Sequence, residues 1–252
     1  MFKKILKNPF TAIVLIWRRF FPFGIKPKDM EAYRIGSWSY GQLKRVFITD
    51  VFKGIEKTEV TLRNAFDKDF YTSMDMQEVF ILCSVMKHIQ AKNILEIGTF
   101  DGNTTLNLAL NLPESGNITT VDLPPEWDGT LQLDIPEIYK NVTERSGVGR
   151  QYREYPELAY KINQIFEDSA RLDWEALDTP FDLIFLDGCH HYEYVKNDTL
   201  NALQHLKKGG VLVWHDYGMI EDVSKVVDKY IGKMPVYAIR GTRIALAIKK
   251  VL

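Results

Sequence analysis

Two stretches of this 252-residue chain set acids, histidines and glycines at spacings that chemistry can use. The denser one is Asp187-Gly188-Cys189-His190-His191-Tyr192, followed by Asp198 and then by Trp214-His215-Asp216-Tyr217. Carboxylates hold hard cations, and a histidine titrates near neutral pH, where it can take a proton from a hydroxyl. The second stretch is Ile94-Leu95-Glu96-Ile97-Gly98-Thr99-Phe100-Asp101-Gly102-Asn103-Thr104-Thr105. An apolar run ends around an acid, a glycine-spaced turn follows, and a helix-compatible segment begins. Exposed backbone N–H groups and a close backbone approach then become available to a ligand. The spacing Gly98-x-x-x-Gly102 differs from the G-x-G-x-x-G of dinucleotide enzymes.

These groups need elements to carry them. Apolar runs at Ile94–Ile97, Asn117–Val121, Lys161–Phe166, Phe181–Leu186 and Val211–Trp214 predict strands. Helical patterns lie between them, at about Thr104–Leu112, Tyr192–Leu206 and Ile220–Ile231. An earlier helix is expected from Thr72 or Ser73 to about Gln90, with Thr72 and Asp75 as a capping pair. Its buried stripe would be Val79, Phe80, Leu82, Val85, Met86 and Ile89. A further helix is expected around Pro136–Thr143, and Arg240-Gly241-Thr242 between Val236–Ile239 and Ile244–Ile248 signals a hairpin. Strand–helix alternation predicts an α/β fold: a doubly wound Rossmann-like sheet of seven strands, mostly parallel, closing in an antiparallel hairpin. Residues 1–70 read as a basic, helical extension and residues 71–252 as the catalytic domain. Open parallel sheets bind ligands at the carboxyl ends of their strands, so Glu96, Asp122, Asp168, Ser169 and Asp187 should converge on one crevice. Asp122, 24 positions beyond Gly98, suits two ribose hydroxyls.

Composition narrows the function. The chain is 46% apolar and 26% charged, as globular proteins are. Its formal charge of −1 conceals an asymmetry: residues 1–28 carry seven Lys or Arg and no acid, leaving 25 basic against 33 acidic residues in the remainder. An acidic body does not bind nucleic acid through charge. Cys83 and Cys189 form no C-x-x-C pair, which points to a reducing cytoplasm. The apolar run Phe10–Trp17 is far shorter than the roughly 20 residues that cross a bilayer, and no small-residue cleavage site follows it. Two readings remain for residues 1–28: docking on the body or on a second subunit of a homo-oligomer, or peripheral contact with the inner face of a membrane.

The glycine-spaced stretch resembles the first motif of class I methyltransferases that use S-adenosylmethionine. The order D-G-x-H-x-Y … D … L-x-x-G-G … D-Y is similar to that of small-molecule and sugar O-methyltransferases, over roughly residues 76–250. The resemblance implies that Glu96, with Gly98, Thr99, Gly102 and Thr104 in the loop, holds the cofactor's amino-acid end. It implies Asp122 on the ribose, and Asp168 and Ser169 at the adenine. It places His190 in the position of the general base. A divalent metal, usually magnesium, is expected on Asp187 and Asp216. Catechol-type relatives have Asn after the second of these acids, where this chain has Tyr217, so a third protein ligand is unidentified. His215 would suit a softer ion. The acceptor is expected to be a hydroxyl of a small molecule or glycan. Methyl transfer to a hydroxyl needs the oxygen in line with the C–S bond, an arrangement able to supply ~7–11 kcal/mol, and a base adding typically ~10²–10⁴-fold.

Two other readings compete. A nicotinamide-dependent oxidoreductase is suggested by Tyr192-x-x-x-Lys196, the spacing of a short-chain dehydrogenase relay, although Phe181–Leu186 lacks the serine such a relay uses. A non-catalytic nucleoside-binding scaffold, anchored through residues 1–28, is the third.

Overall fold

The computed structural model describes residues 40–64, 74–127, 130–136, 147–177 and 180–250. The basic segment 1–28, Thr72, and most of the helix expected at 136–143 lie outside the described residues.

Eight strands form one sheet: β1 (Arg45–Val46), β2 (Asn93–Ile97), β3 (Asn117–Asp122), β4 (Ile162–Phe166), β5 (Phe181–Leu186), β6 (Leu206–Trp214), β7 (Val236–Ile239) and β8 (Ala245–Ile248). Their order is β1-β7-β8-β6-β5-β2-β3-β4. The pairs from β6 to β4 are parallel, whereas β8 runs antiparallel to both β6 and β7. The expected sheet and hairpin are present. The eighth strand is Arg45–Val46, which pairs parallel with β7. Two residues are too short for any periodic signal, and Arg45 is held by its guanidinium, which donates to the carbonyls of Ile239, Thr242 and Tyr217.

Helices α1 (Ile48–Val51), α2 (Met76–His88), α3 (Asn103–Asn111), α4 (Arg150–Arg153), α5 (Tyr192–His205) and α6 (Glu221–Asp228) flank the sheet. Alternation along β2 separates the two cores. Ile94 packs with the α2 and α3 residues Leu82, Met86, Leu106 and Leu108. Leu95 and Ile97 pack on the other face with Val195, Val223 and Val227 of α5 and α6.

Helix α2 starts later than expected. Asp75 is its N-cap and forms a capping box with Glu78, accepting from the Glu78 N–H while the Glu78 carboxylate accepts from the Asp75 N–H. Phe80, expected in the buried stripe, is 44% exposed, while Glu78 is completely buried. The apolar pattern missed this because Glu78 is buried by pairing rather than by hydrophobicity. Among the described residues no helix is long and apolar enough to cross a membrane.

Candidate active site

The strand order reverses at β2, with β3 on one side and β5 on the other, so the crevice lies at the carboxyl ends of these strands. Ile97 is followed by Gly98 at φ +99, a left-handed conformation that L side chains rarely adopt. A Cβ there would overlap the Asp187 carbonyl. Glycine therefore lets the first loop run against the end of β5, where the Asp187 N–H donates to the Ile97 carbonyl at 2.8 Å. The two chemically dense stretches share one wall for this reason.

The first loop is tied from below and from the side. Asp122 accepts from the Phe100 N–H at 2.7 Å and from the Leu123 N–H at 2.8 Å. The Gly149 and Gln151 N–H groups donate to the carbonyls of Phe100 and Asp101, both at 2.8 Å, and the Gln151 amide donates to the Asp101 carboxylate. Gly102, at φ +82, is the N-cap of α3. Thr99 shares a 2.7 Å hydroxyl bond with Thr120, and the Thr104 hydroxyl faces the Met74 sulfur at 3.5 Å.

Glu96 stands beneath this loop, not on its open face. It points to the same side of the sheet as Ile94, is wholly buried, and accepts from the hydroxyls of Thr105 at 2.5 Å and Thr120 at 2.6 Å through Oε2. Its Oε1 has no partner among the described residues. Burial pushes its carboxyl up to about 8. Asp168 is also turned to structural work: its carboxylate accepts from the Gln132 N–H at 2.7 Å, the Ala170 N–H at 2.9 Å and the Tyr194 hydroxyl at 2.8 Å. Ser169 donates to Asp198 at 3.2 Å, and burial pushes the Asp198 carboxyl up to about 7.

At the ends of β5 and β6 the structure brings Asp187, His190 and Asp216 together. The His190 Nε2 lies 3.4 Å from Asp187 Oδ1 and 3.2 Å from Asp216 Oδ2. The side chains are 21%, 26% and 9% exposed in that order along the chain, so the cluster is reached from solvent over His190. His191 caps α5 instead, its Nδ1 facing the Glu193 N–H.

Behind the cluster lies a buried ionic group that sequence reasoning missed. His215 places Nδ1 3.1 Å from Asp187 Oδ1 and Nε2 3.1 Å from Glu78 Oε2. Arg243, in the turn before β8, spans Glu78 at 2.7 Å and Asp216 at 3.2 Å. Burial opposes charge on His215, yet Asp187, Asp216 and Glu78 outweigh it and raise its pKa well above the ordinary histidine value. Burial likewise opposes ionisation of Asp187 and Asp216, and the adjacent His215 holds both carboxyls below their usual range. Asp75-x-x-Glu78 was the available sequence signal for Glu78, as a capping box. Nothing local connects Arg243 to it.

The dehydrogenase relay does not form. Lys196 pairs with Glu193 at 3.1 Å, and the Tyr192 hydroxyl accepts from Lys229.

The donor set fits a divalent cation: two carboxylates and an imidazole whose ligand atoms lie within 4.8 Å of one another. A model of the methyltransferase domain matches residues 95–217. Caffeoyl-CoA O-methyltransferase from Populus kitakamiensis is 27% identical over 199 residues, covering 73% of this chain and 73% of its own. Caffeoyl-CoA O-methyltransferase 1 from Eucalyptus globulus is 32% identical over 166 residues, covering 64% of this chain and 57% of its own. The chain thus spans little more than half the length of that second relative. Among solved structures, the O-methyltransferase TomG from Streptomyces achromogenes, involved in tomaymycin synthesis and determined in complex with SAM, superposes with a TM-score of 0.56 at 18% identity, over 80% of this chain and 96% of its own. A mixed sheet with an antiparallel end, a glycine loop at its reversal point and these sequence matches make the chain similar to class I S-adenosylmethionine-dependent methyltransferases. The relatives it matches are O-methyltransferases.

Proposed function

We propose that this enzyme methylates a hydroxyl of a small molecule or glycan, with the cofactor over the β2 and β3 ends and the acceptor oxygen at the Asp187–His190–Asp216 cluster. One observation carries this reading: the contact of Gly98 with the Asp187 backbone puts the cofactor loop and the cluster on one continuous wall. Methyl donor and hydroxyl can then be held in line, the condition under which proximity lowers the barrier most.

The proposed cofactor residues divide by what their side chains already touch. Gly98, Thr99, Gly102 and Thr104 form or flank the loop proposed for the cofactor's amino-acid end, and Asp122, which braces that loop through the Phe100 N–H, is proposed for the ribose hydroxyls. Glu96 sets the loop through Thr105 and Thr120. Asp168 and Ser169 shape the adenine wall through the conformation of their turn, since three donors fill the Asp168 carboxylate.

At the hydroxyl, His190 is the residue with a basic nitrogen. In a cation-free cluster the His190 Nε2–H donates to Asp187 and Asp216, which orient the ring, and Nδ1 takes the proton of the acceptor, since in a hydrolase triad the acid and the hydroxyl meet opposite ring nitrogens. The spacing of the three donors favours a second reading, in which they hold a divalent cation. Such an ion supplies Lewis acidity, lowering the pKa of a hydroxyl as it does that of bound water. The readings are exclusive at Nε2, which carries a proton in the first and gives its lone pair to the cation in the second, leaving the proton on Nδ1. Residues 1–28, with seven basic residues and no acid, are proposed as a docking segment for a second subunit or an anionic lipid surface.

Thermal shift tests the core of this reading. S-adenosylhomocysteine should raise the melting temperature in proportion to ln(1 + [L]/Kd), and NAD and NADP should not. A shift with NAD and none with S-adenosylhomocysteine would refute it.

A further inference from the structure

We infer that His190 is the third protein ligand of a divalent-cation site completed by Asp187 and Asp216, and that this site prefers a nitrogen-accepting first-row transition ion to magnesium. The inference rests on the methyl-transfer reading only for what the ion acts upon; the ligand set stands on geometry.

Spacing comes first. Ligands ~2.1 Å from one ion lie ~3.0 Å apart when adjacent in an octahedron and ~3.4 Å apart in a tetrahedron. The His190 Nε2 lies 3.4 Å from Asp187 Oδ1 and 3.2 Å from Asp216 Oδ2, within that interval on both edges.

The carboxylates are also held from behind in the way ligating carboxylates are. His215 Nδ1 meets Asp187 Oδ1 at 3.1 Å, and Arg243 Nη1 meets Asp216 Oδ1 at 3.2 Å. Both side chains are anchored on the same buried acid, Glu78. The second oxygen of Asp216, Oδ2, is the one turned to His190. Outer contacts of this kind fix the direction of ligand lone pairs before an ion arrives.

The chain itself then removes the alternative third ligand. Asp216 sits at φ +55, a left-handed conformation uncommon for a residue with a side chain. Its carboxylate faces the cluster while Tyr217, the next residue, is buried elsewhere, with its hydroxyl donating to Asp228 at 2.8 Å and accepting from the Leu43 N–H at 2.9 Å. Tyr217 is therefore engaged away from the cluster. His215 also reaches both carboxylates, at 3.1 and 3.5 Å, but from the buried side with its other nitrogen on Glu78, so His190 is the group that meets both from the open side. An imidazole in place of a neutral oxygen moves the preference from magnesium, an all-oxygen ion, toward Mn²⁺ and the later first-row ions. It also means that His190, with the ion bound, holds no lone pair for the acceptor's proton.

Manganese serves as the probe. The full chain, stripped with chelator and dialysed, is titrated with Mn²⁺, and the loss of the free-ion electron paramagnetic resonance signal gives stoichiometry and affinity. Pulsed measurement of the bound ion then reads ¹⁴N modulation from a directly coordinated imidazole. The expected result is one Mn²⁺ per chain, displaced by Mg²⁺ only at roughly ten-fold or greater excess. The ¹⁴N modulation should be strong in the native chain and in His191→Ala, and absent in His190→Ala and His190→Gln. Binding without ¹⁴N modulation, modulation that survives both His190 variants, or no binding at millimolar Mn²⁺ would each overturn the inference. S-adenosylhomocysteine thermal shifts on the same samples report folding and the cofactor site independently, so failure of the metal site is distinguishable from failure of the methyltransferase reading.

Discussion

Replacing Glu96 by glutamine should change how stability depends on pH. The Glu96 side chain is completely buried, two threonine hydroxyls donate to Oε2, and Oε1 has no partner among the described residues. Burial raises its carboxyl from 4.5 to about 8, so at neutral pH the native chain keeps a proton that the unfolded chain has released. With the folded pKa the higher of the two, this contribution to stability is complete below pH 4.5 and is lost as the pH rises through about 8. Each pH unit inside that window removes about 1.4 kcal/mol, and the whole window about 5 kcal/mol as an upper bound. Glu96→Gln keeps an oxygen for the two threonines and no longer titrates. Its amide adds an unmet buried donor, a penalty of about 1–3 kcal/mol that does not vary with pH. Urea unfolding of both proteins at pH 5.5, 6.5, 7.5 and 8.5 measures the difference. The native chain should lose stability relative to the variant at each step, and the curves should converge or cross toward alkaline pH. Parallel curves across the series would show that Glu96 ionises as an ordinary carboxylate and that the burial argument is wrong.

Two further substitutions probe the framework of the site. Glu78→Ala leaves His215 and Arg243 without their shared buried acid, so calorimetry should register a loss of about 3–5 kcal/mol and a lowered Tm. Gly98→Ala forces a Cβ into the Asp187 carbonyl at φ +99. Isothermal titration should show S-adenosylhomocysteine affinity falling by more than roughly ten-fold, the scale of a 1.4 kcal/mol loss.

Local pattern carried most of the architecture. Apolar runs with short polar breaks located β2 to β8 to within a few residues, and Gly98 and Gly102 marked the loop because only particular backbone angles fit there. The boundary errors have local physical causes. Helix α2 begins at the reciprocal bonds of Asp75 and Glu78 rather than at Thr72, and the Lys207–Gly210 stretch, read as a turn, lies within β6, which shifts register against β5. Phe80 looked buried on a helical wheel and faces solvent, because periodicity reports which residues share a face and not how wide the covering partner is.

Motif order in the chain determined the class of chemistry, because strand ends in a parallel sheet converge wherever the sheet is built, and so Glu96, Asp122 and Asp187 belonged together before any coordinate was known. What only the folded state decided is the work each carboxylate does. Strand alternation turned Glu96 under the loop, hydrogen bonds from residues 36 positions before and 26 after filled Asp168, and the strand order carried Glu78 and Arg243, 165 residues apart, onto one buried pair behind Asp187 and Asp216. Such contacts depend on which distant elements become neighbours, whereas spacing along a chain reports only the reach of its own backbone.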